Sequence, residues 1–210
     1  MKLSTTGRGR RLSLAGIAVC LALAAPAPSA LAMPGGSDTV RNLYDTLLAA
    51  MRNGPALGAR GRYAQIEPTV RRVFDIPFMT RLAVGPEWAG LSEAQRQQVA
   101  QAFQRYIAAI YAERFDSYSG ERLQVTGERQ SAGGTIITSQ SVKSNGQPVS
   151  IIYLMRDNGG VWQIAVVYLD GTISELATRR SEFAAILRSR GINGLIQALN
   201  VKADSLTRAS

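Results

Sequence analysis

The spacing of apolar positions changes along the chain. Between Asp38 and Arg52, residues Val40, Leu43, Tyr44, Leu47, Leu48 and Met51 recur at i, i+3, i+4 and i+7. That spacing lays one apolar stripe along an α-helix. Ser37 is placed to cap it, and Asn53-Gly54-Pro55 to end it. A broken helical region follows. Pro68–Phe74 reads as one short helix and Pro77–Val84 as another, with Asp75 as its cap and Gly85-Pro86 as its stop. The longest helix is expected from Glu93 to about Asp116. Ser92 and Gln95 form a capping box at its start, and Val99, Ala102, Phe103, Tyr106, Ile107, Ile110 and Tyr111 give it a wide apolar face.

From residue 122 the period falls to two. Four strands are expected at Arg122–Glu128, Thr135–Val142, Pro148–Arg156 and Val161–Leu169. Gly133-Gly134, Asn145-Gly146 and Asp157-Asn158-Gly159-Gly160 separate them, and Asn-Gly between alternating runs is a strong hairpin signal. Alternation puts Val149, Ile151, Tyr153 and Met155 on one face of the third strand, and Trp162, Ile164, Val166 and Tyr168 on one face of the fourth. Val161, Ala165, Val167 and Leu169 are apolar too, so both faces of the fourth strand are expected to be covered. A helix over Ser174–Arg190 turns Leu176, Phe183, Ile186 and Leu187 inward and ends before Gly191. A short helix spans Ile192–Leu199, and Lys202–Ser210 reads as a flexible tail. The fold class is α+β: a curved four-stranded antiparallel sheet (about 122–170) packed with N-terminal helices (about 37–117) and C-terminal helices (about 174–200), in one domain over 33–201.

The segment ahead of this domain has a different character. Lys2, Arg8, Arg10 and Arg11 precede an uncharged apolar run from Leu12 to Ala25, and Ala30-Leu31-Ala32 is a small-x-small cleavage site. That order predicts a cleavable secretory signal over residues 1–32 and export to the periplasm. Pro26 and Pro28 stop the run short of a membrane span. Arg10-Arg11 lacks the Phe-Leu pair that would mark twin-arginine export, and Cys20 lies inside the apolar run and leaves with the signal. Removing four of the 24 basic residues leaves twenty against fifteen acidic ones, a mature charge of +5. That suits anionic lipid surfaces or acidic partners. There is no dense basic stripe with interleaved aromatics, so no nucleic-acid partner is expected.

The chain has no histidine, and its one cysteine belongs to the signal. Histidine-dependent nucleophile systems and zinc sites built on His or Cys are thereby excluded. Gly58-Ala59-Arg60-Gly61 lacks the spacing and the lysine of a phosphate loop. No cofactor is expected. Carboxylates on helices (Glu113, Asp116, Glu175 and Glu182) read first as solvated surface, and Tyr44, Tyr106, Tyr111 and Tyr153 first as core.

Phe74-Asp75-Ile76-Pro77-Phe78-Met79, Leu82, Gly85, Trp88, Leu91-Ser92, Gln95-Arg96, Phe103 and Tyr111 form an ordered set. It continues through Tyr153, Gly160-x-Trp162, Gly171, Arg180-Ser181-x-Phe183 and Gly194-Leu195-Ile196. On this set the chain resembles the MlaC / toluene-tolerance family over nearly its whole mature length. Gly171-Thr172-Ile173-Ser174-Glu175-Leu176 is closer to the hopanoid-biosynthesis-associated, HpnM-like branch. The resemblance implies a nuclear-transport-factor-2-like sheet with a helical part. It also implies a periplasmic lipid carrier working between an inner-membrane ABC transporter complex and an outer-membrane lipoprotein complex, with a phospholipid or hopanoid-type membrane lipid as cargo. One departure is that Gln163–Leu169 holds no acid where the family usually has an aspartate.

A carrier needs apolar walls, and the expected ones lie between sheet and helices: Phe74, Met79, Leu82, Phe103, Tyr106, Ile107, Ile110, Ile151, Tyr153, Trp162, Ile164 and Val166. Arg81 or Arg180 would stand near the head group. Two other readings stay open at this point. One is a small-molecule enzyme on the same shell, using carboxylates. The other is a non-catalytic envelope adaptor with a solid core.

Overall fold

A computed structural model describes Met1, residues 35–170 and residues 173–208, with side chains described except at 173–175. The signal expected over 1–32, apart from Met1, lies outside the described residues, as do Gly171-Thr172 of the branch motif. Helices α1 (Gly36–Arg52), α2 (Gly54–Val73), α3 (Ile76–Val84) and α4 (Glu93–Arg114) come first, with a 3₁₀ segment over Gly85–Gly90. Strands β1 (Arg122–Ser131), β2 (Gly134–Val142), β3 (Pro148–Asp157) and β4 (Trp162–Leu169) follow, then the two-residue β5 (Ile173–Ser174) and α5 (Glu175–Arg208). The sheet is an antiparallel meander in chain order. The α+β class and its four long strands are those expected from the sequence.

Several local departures have physical causes. α1 starts two residues early: Asp38 accepts the Gly35 N–H, and the Ser37 hydroxyl instead donates to Glu128 of β1. Residues 54–73, expected as broken helix, form α2, with Pro68 inside it. The break falls at Gly58, whose φ of 58° costs a glycine little. The expected flexible tail from Lys202 is instead helical to Arg208. Ala203 is buried there, and Arg105 of α4 donates to Asp204 at 2.8 Å. The register of β4 shifts as well. Leu154 pairs with Val166 and Met155 with Ile164, so Ala165 is an extra residue, a β-bulge. Beyond the bulge Val167 and Leu169 share the face of Ile164, and Val166 and Tyr168 turn to the other face.

The elements are tied at two joints that position the interior. Phe74, between α2 and α3, forms a parallel bridge with Ile164, and the Asp75 N–H donates to the Ile164 carbonyl at 2.9 Å. Asp75 then caps α3 through Phe78 N–H and accepts from Arg156 (2.7 Å) and Asn158 (3.0 Å). At the other joint the start of α2 presses on the end of α4. A Cβ on Gly54 would collide with the Asp116 carbonyl oxygen. Buried Arg62 donates to the carbonyls of Ala112 (2.8 Å) and Gly54 (3.1 Å). The bond to Ala112 satisfies one of the last carbonyls of α4, which has no partner within its own helix.

Candidate functional site

Between the concave sheet face and the helices the core does not close. A cavity of about 130 Å³ remains. Its sheet side is Ile151, Tyr153, Val167 and Leu169, and its helix side is Met79 of α3, Phe103, Ile107 and Ile110 of α4, and Leu176 of α5. An aromatic ladder runs along one wall. Phe74 packs on Tyr111 (centroids 5.6 Å apart), and Tyr111 stacks on Phe115 (5.7 Å, interplanar angle 8°). Offset or tilted ring pairs of this kind add binding beyond the area they bury.

The polar groups of the site sit at two places. Tyr44 and Tyr153 are buried on its inner side, their rings packed edge to face with centroids 6.1 Å apart. The Ser139 hydroxyl donates to the Ile151 carbonyl at 2.8 Å, so the Tyr44 hydroxyl, 2.6 Å away, donates to Ser139. Burial pushes both phenols upward, Tyr153 well above the ordinary tyrosine value. Both are therefore neutral, and the inner wall carries no charge. The charged lining side chains are Arg114, at the exposed end of α4, and Arg179 of α5. Arg179 also pairs with Glu182 (3.1 Å) and lies over the Tyr106 ring (5.6 Å). Among the described lining residues there is no carboxylate.

Seven of the twelve expected wall residues come together here: Phe74, Met79, Phe103, Ile107, Ile110, Ile151 and Tyr153. Five do not. Leu82 lies on the surface of α3, 37% exposed. Tyr106 turns toward α5, with Phe183 at 6.5 Å. Trp162 lines a surface groove beside α1. Ile164 is wholly buried in the solid core, and the bulge puts Val166 on the opposite face. Of the expected head-group residues, Arg81 lies on an outer groove and Arg180 packs against Gly85, neither at the cavity. Tyr44, Tyr111, Arg114, Phe115, Val167, Leu169, Leu176 and Arg179 line it without having been singled out as walls. Only the α4 spacing could have flagged Tyr111, and nothing local distinguished the two arginines from solvated surface.

The class is thus an α+β shell around a small, mostly apolar hollow whose charged lining residues are two arginines. The MlaC protein family matches residues 41–201, and the chain belongs to that family. The fold is similar to that of a phospholipid-binding protein from Ralstonia solanacearum, solved in complex with a phospholipid. The TM-score is 0.69 at 21% identity, over 81% of this chain and 98% of that one.

Proposed function

We propose that the mature chain is a periplasmic lipid carrier that holds the apolar part of a membrane lipid in the cavity lined by Phe74, Ile107, Tyr153 and Val167 and shuttles it between inner and outer membranes. The observation that carries this reading is the cavity: its lining is mostly apolar, its buried phenols are neutral, and its charged lining residues are the cations Arg114 and Arg179. Family membership supports it, as does the phospholipid bound by the Ralstonia protein. Exposing on the order of thirty methylenes to water costs on the order of 20 kcal/mol, and apolar walls offset that. Arg114 and Arg179 take the place first expected of Arg81 and Arg180, beside an anionic head group.

The free space sets a condition on the mechanism. A cavity of about 150 Å³ accepts one benzene ring. The 130 Å³ here holds a short stretch of one chain. Two tails therefore enter only if the helices part from the sheet, and the walls close again when cargo leaves. A shell that collapses without cargo keeps its apolar face out of water during the empty return. Among the described residues no helix is long and apolar enough to cross a membrane. The carrier then meets its lipid at membrane-anchored partners, an inner-membrane ABC transporter complex and an outer-membrane lipoprotein complex. A phospholipid fits the reading most directly; a hopanoid-type lipid is the cargo that the branch motif suggests.

The test is native mass spectrometry of the protein taken from its own periplasm. One lipid per chain is expected, its identity read from the extract. A protein that stays empty there, and takes up no phospholipid from vesicles, would make the core a packing core and favour an adaptor role.

A further inference from the structure

Phe74 lines both the cavity and a separate outer groove of about 650 Å³ beside α3. Arg71, Arg81 and Arg156 stand around that groove, and Asp75 is the carboxylate among its described lining. Three arginines against one aspartate leave two positive charges. Asp75 is also used up structurally, accepting from Phe78 N–H, Arg156 and Asn158. The Phe78 ring is held by two guanidiniums, Arg156 at 4.2 Å and Arg81 at 5.4 Å.

We propose that this groove is a docking site for an acidic segment of a partner protein, and that its occupation reaches the cavity through Phe74. Charge complementarity selects the occupant. The half-buried, guanidinium-held Phe78 argues against a bilayer, which needs protruding apolar side chains free to insert. The wall shared at Phe74 gives the site a use: a partner seated beside α3 bears on the residue that divides groove from cavity, where it can favour the parted state. This second step rests on the carrier reading; the docking itself does not.

The experiment uses a Trp162→Phe chain, leaving Trp88, which lines the groove, as the one indole. The probe is a synthetic peptide alternating Glu and Leu, with a Lys/Leu peptide of equal length and phosphatidylglycerol vesicles as comparisons. The acidic peptide should shift Trp88 emission, with affinity that falls as salt rises. The Arg71→Glu/Arg81→Glu double variant should lose about tenfold or more, since like charges now face each other. No shift with the acidic peptide, an equal shift with the basic one, or unchanged affinity in the double variant would each overturn docking. Binding to vesicles but not to peptide would overturn it in favour of a membrane surface. In a second arm, a preloaded fluorescent phospholipid should leave faster when the acidic peptide is present. Peptide binding with an unchanged release rate would overturn transmission through Phe74 alone. Failure to load the lipid would count against the carrier reading and leave the docking result standing.

Discussion

Tyr153 of β3 lies across the ladder from Val167, not from Val166. Ala165 is the extra residue that sets this register, and Val167 therefore faces the cavity while Val166 faces away. Matched substitutions at the two valines separate ligand space from packing. Val167→Phe fills part of the cavity and should abolish uptake of a fluorescent phospholipid. Val166→Phe should leave uptake unchanged. Both overpack a buried position and should cost about 1–3 kcal/mol in urea unfolding. Equal loss of uptake in both would show that the loss follows stability rather than space.

Local patterns in the chain foretold the elements that rest on local signals. The α4 capping box forms as expected, Ser92 and Gln95 each accepting the other's N–H. Asn145-Gly146 makes its hairpin, with Gly146 at φ 83°. The positions that failed depend on partners distant in the chain. A bulge at Ala165 cannot be seen in a run where every residue is apolar, because alternation has nothing to alternate with. The helix beyond Lys202 is held by Arg105 from α4, and Arg114 and Arg179 meet one cavity only after α4 and α5 pack. The same limit governed Leu82 and Trp162: apolar type was legible, but the side each would face was not.

Burial of the neutral phenols makes stability depend on alkaline pH. The folded-state values of Tyr44 and Tyr153 are raised above the ordinary tyrosine value. The folded chain therefore retains these protons where the unfolded chain has lost them. Stability should be flat below about pH 10 and fall above it, by up to about 1.4 kcal/mol per pH unit for each such group. Thermal unfolding followed between pH 8 and 11 should show the decline, and Tyr153→Phe should make it shallower. A slope unchanged in that variant would assign the decline to other groups.

Arg62 fastens α2 to the end of α4 with a charge-assisted bond to the Ala112 carbonyl, and ties down the start of its own helix with a second to the Gly54 carbonyl. Arg62→Met keeps much of the buried stem and strands both acceptors, so it should destabilise by about 3 kcal/mol. Arg71→Met, on the exposed side of the same helix, should stay within about 0.5 kcal/mol. Chemical denaturation of the two variants checks the contrast.

Asp75 joins α3 to the β3–β4 hairpin, capping the helix and holding Arg156 and Asn158. Asp75→Ala removes a cap worth about 1 kcal/mol and leaves the Phe78 N–H and the Arg156 guanidinium without that acceptor, for a total of about 2–4 kcal/mol. Asp75→Asn keeps an acceptor for the cap and should lose less. Hydrogen exchange should quicken in α3 for the alanine variant before it does in α1.

The rim cations discriminate by charge rather than by hydrocarbon. Arg114 is exposed, whereas Arg179 is half-buried, so a change at Arg114 disturbs less packing. An exposed guanidinium in water adds at most about 1 kcal/mol to an anion beside it, since solvent and salt screen the pair. Arg114→Gln should therefore weaken an anionic amphiphile such as a long-chain fatty acid several-fold and leave the matching fatty alcohol unaffected. Displacement of a fluorescent lipid by each competitor, at low and high salt, measures the difference. High salt should erase the advantage of the acid in the parent chain and change little in the variant. If acid and alcohol compete equally in the parent at low salt, the head group lies away from Arg114, and another side of the cavity must open to water.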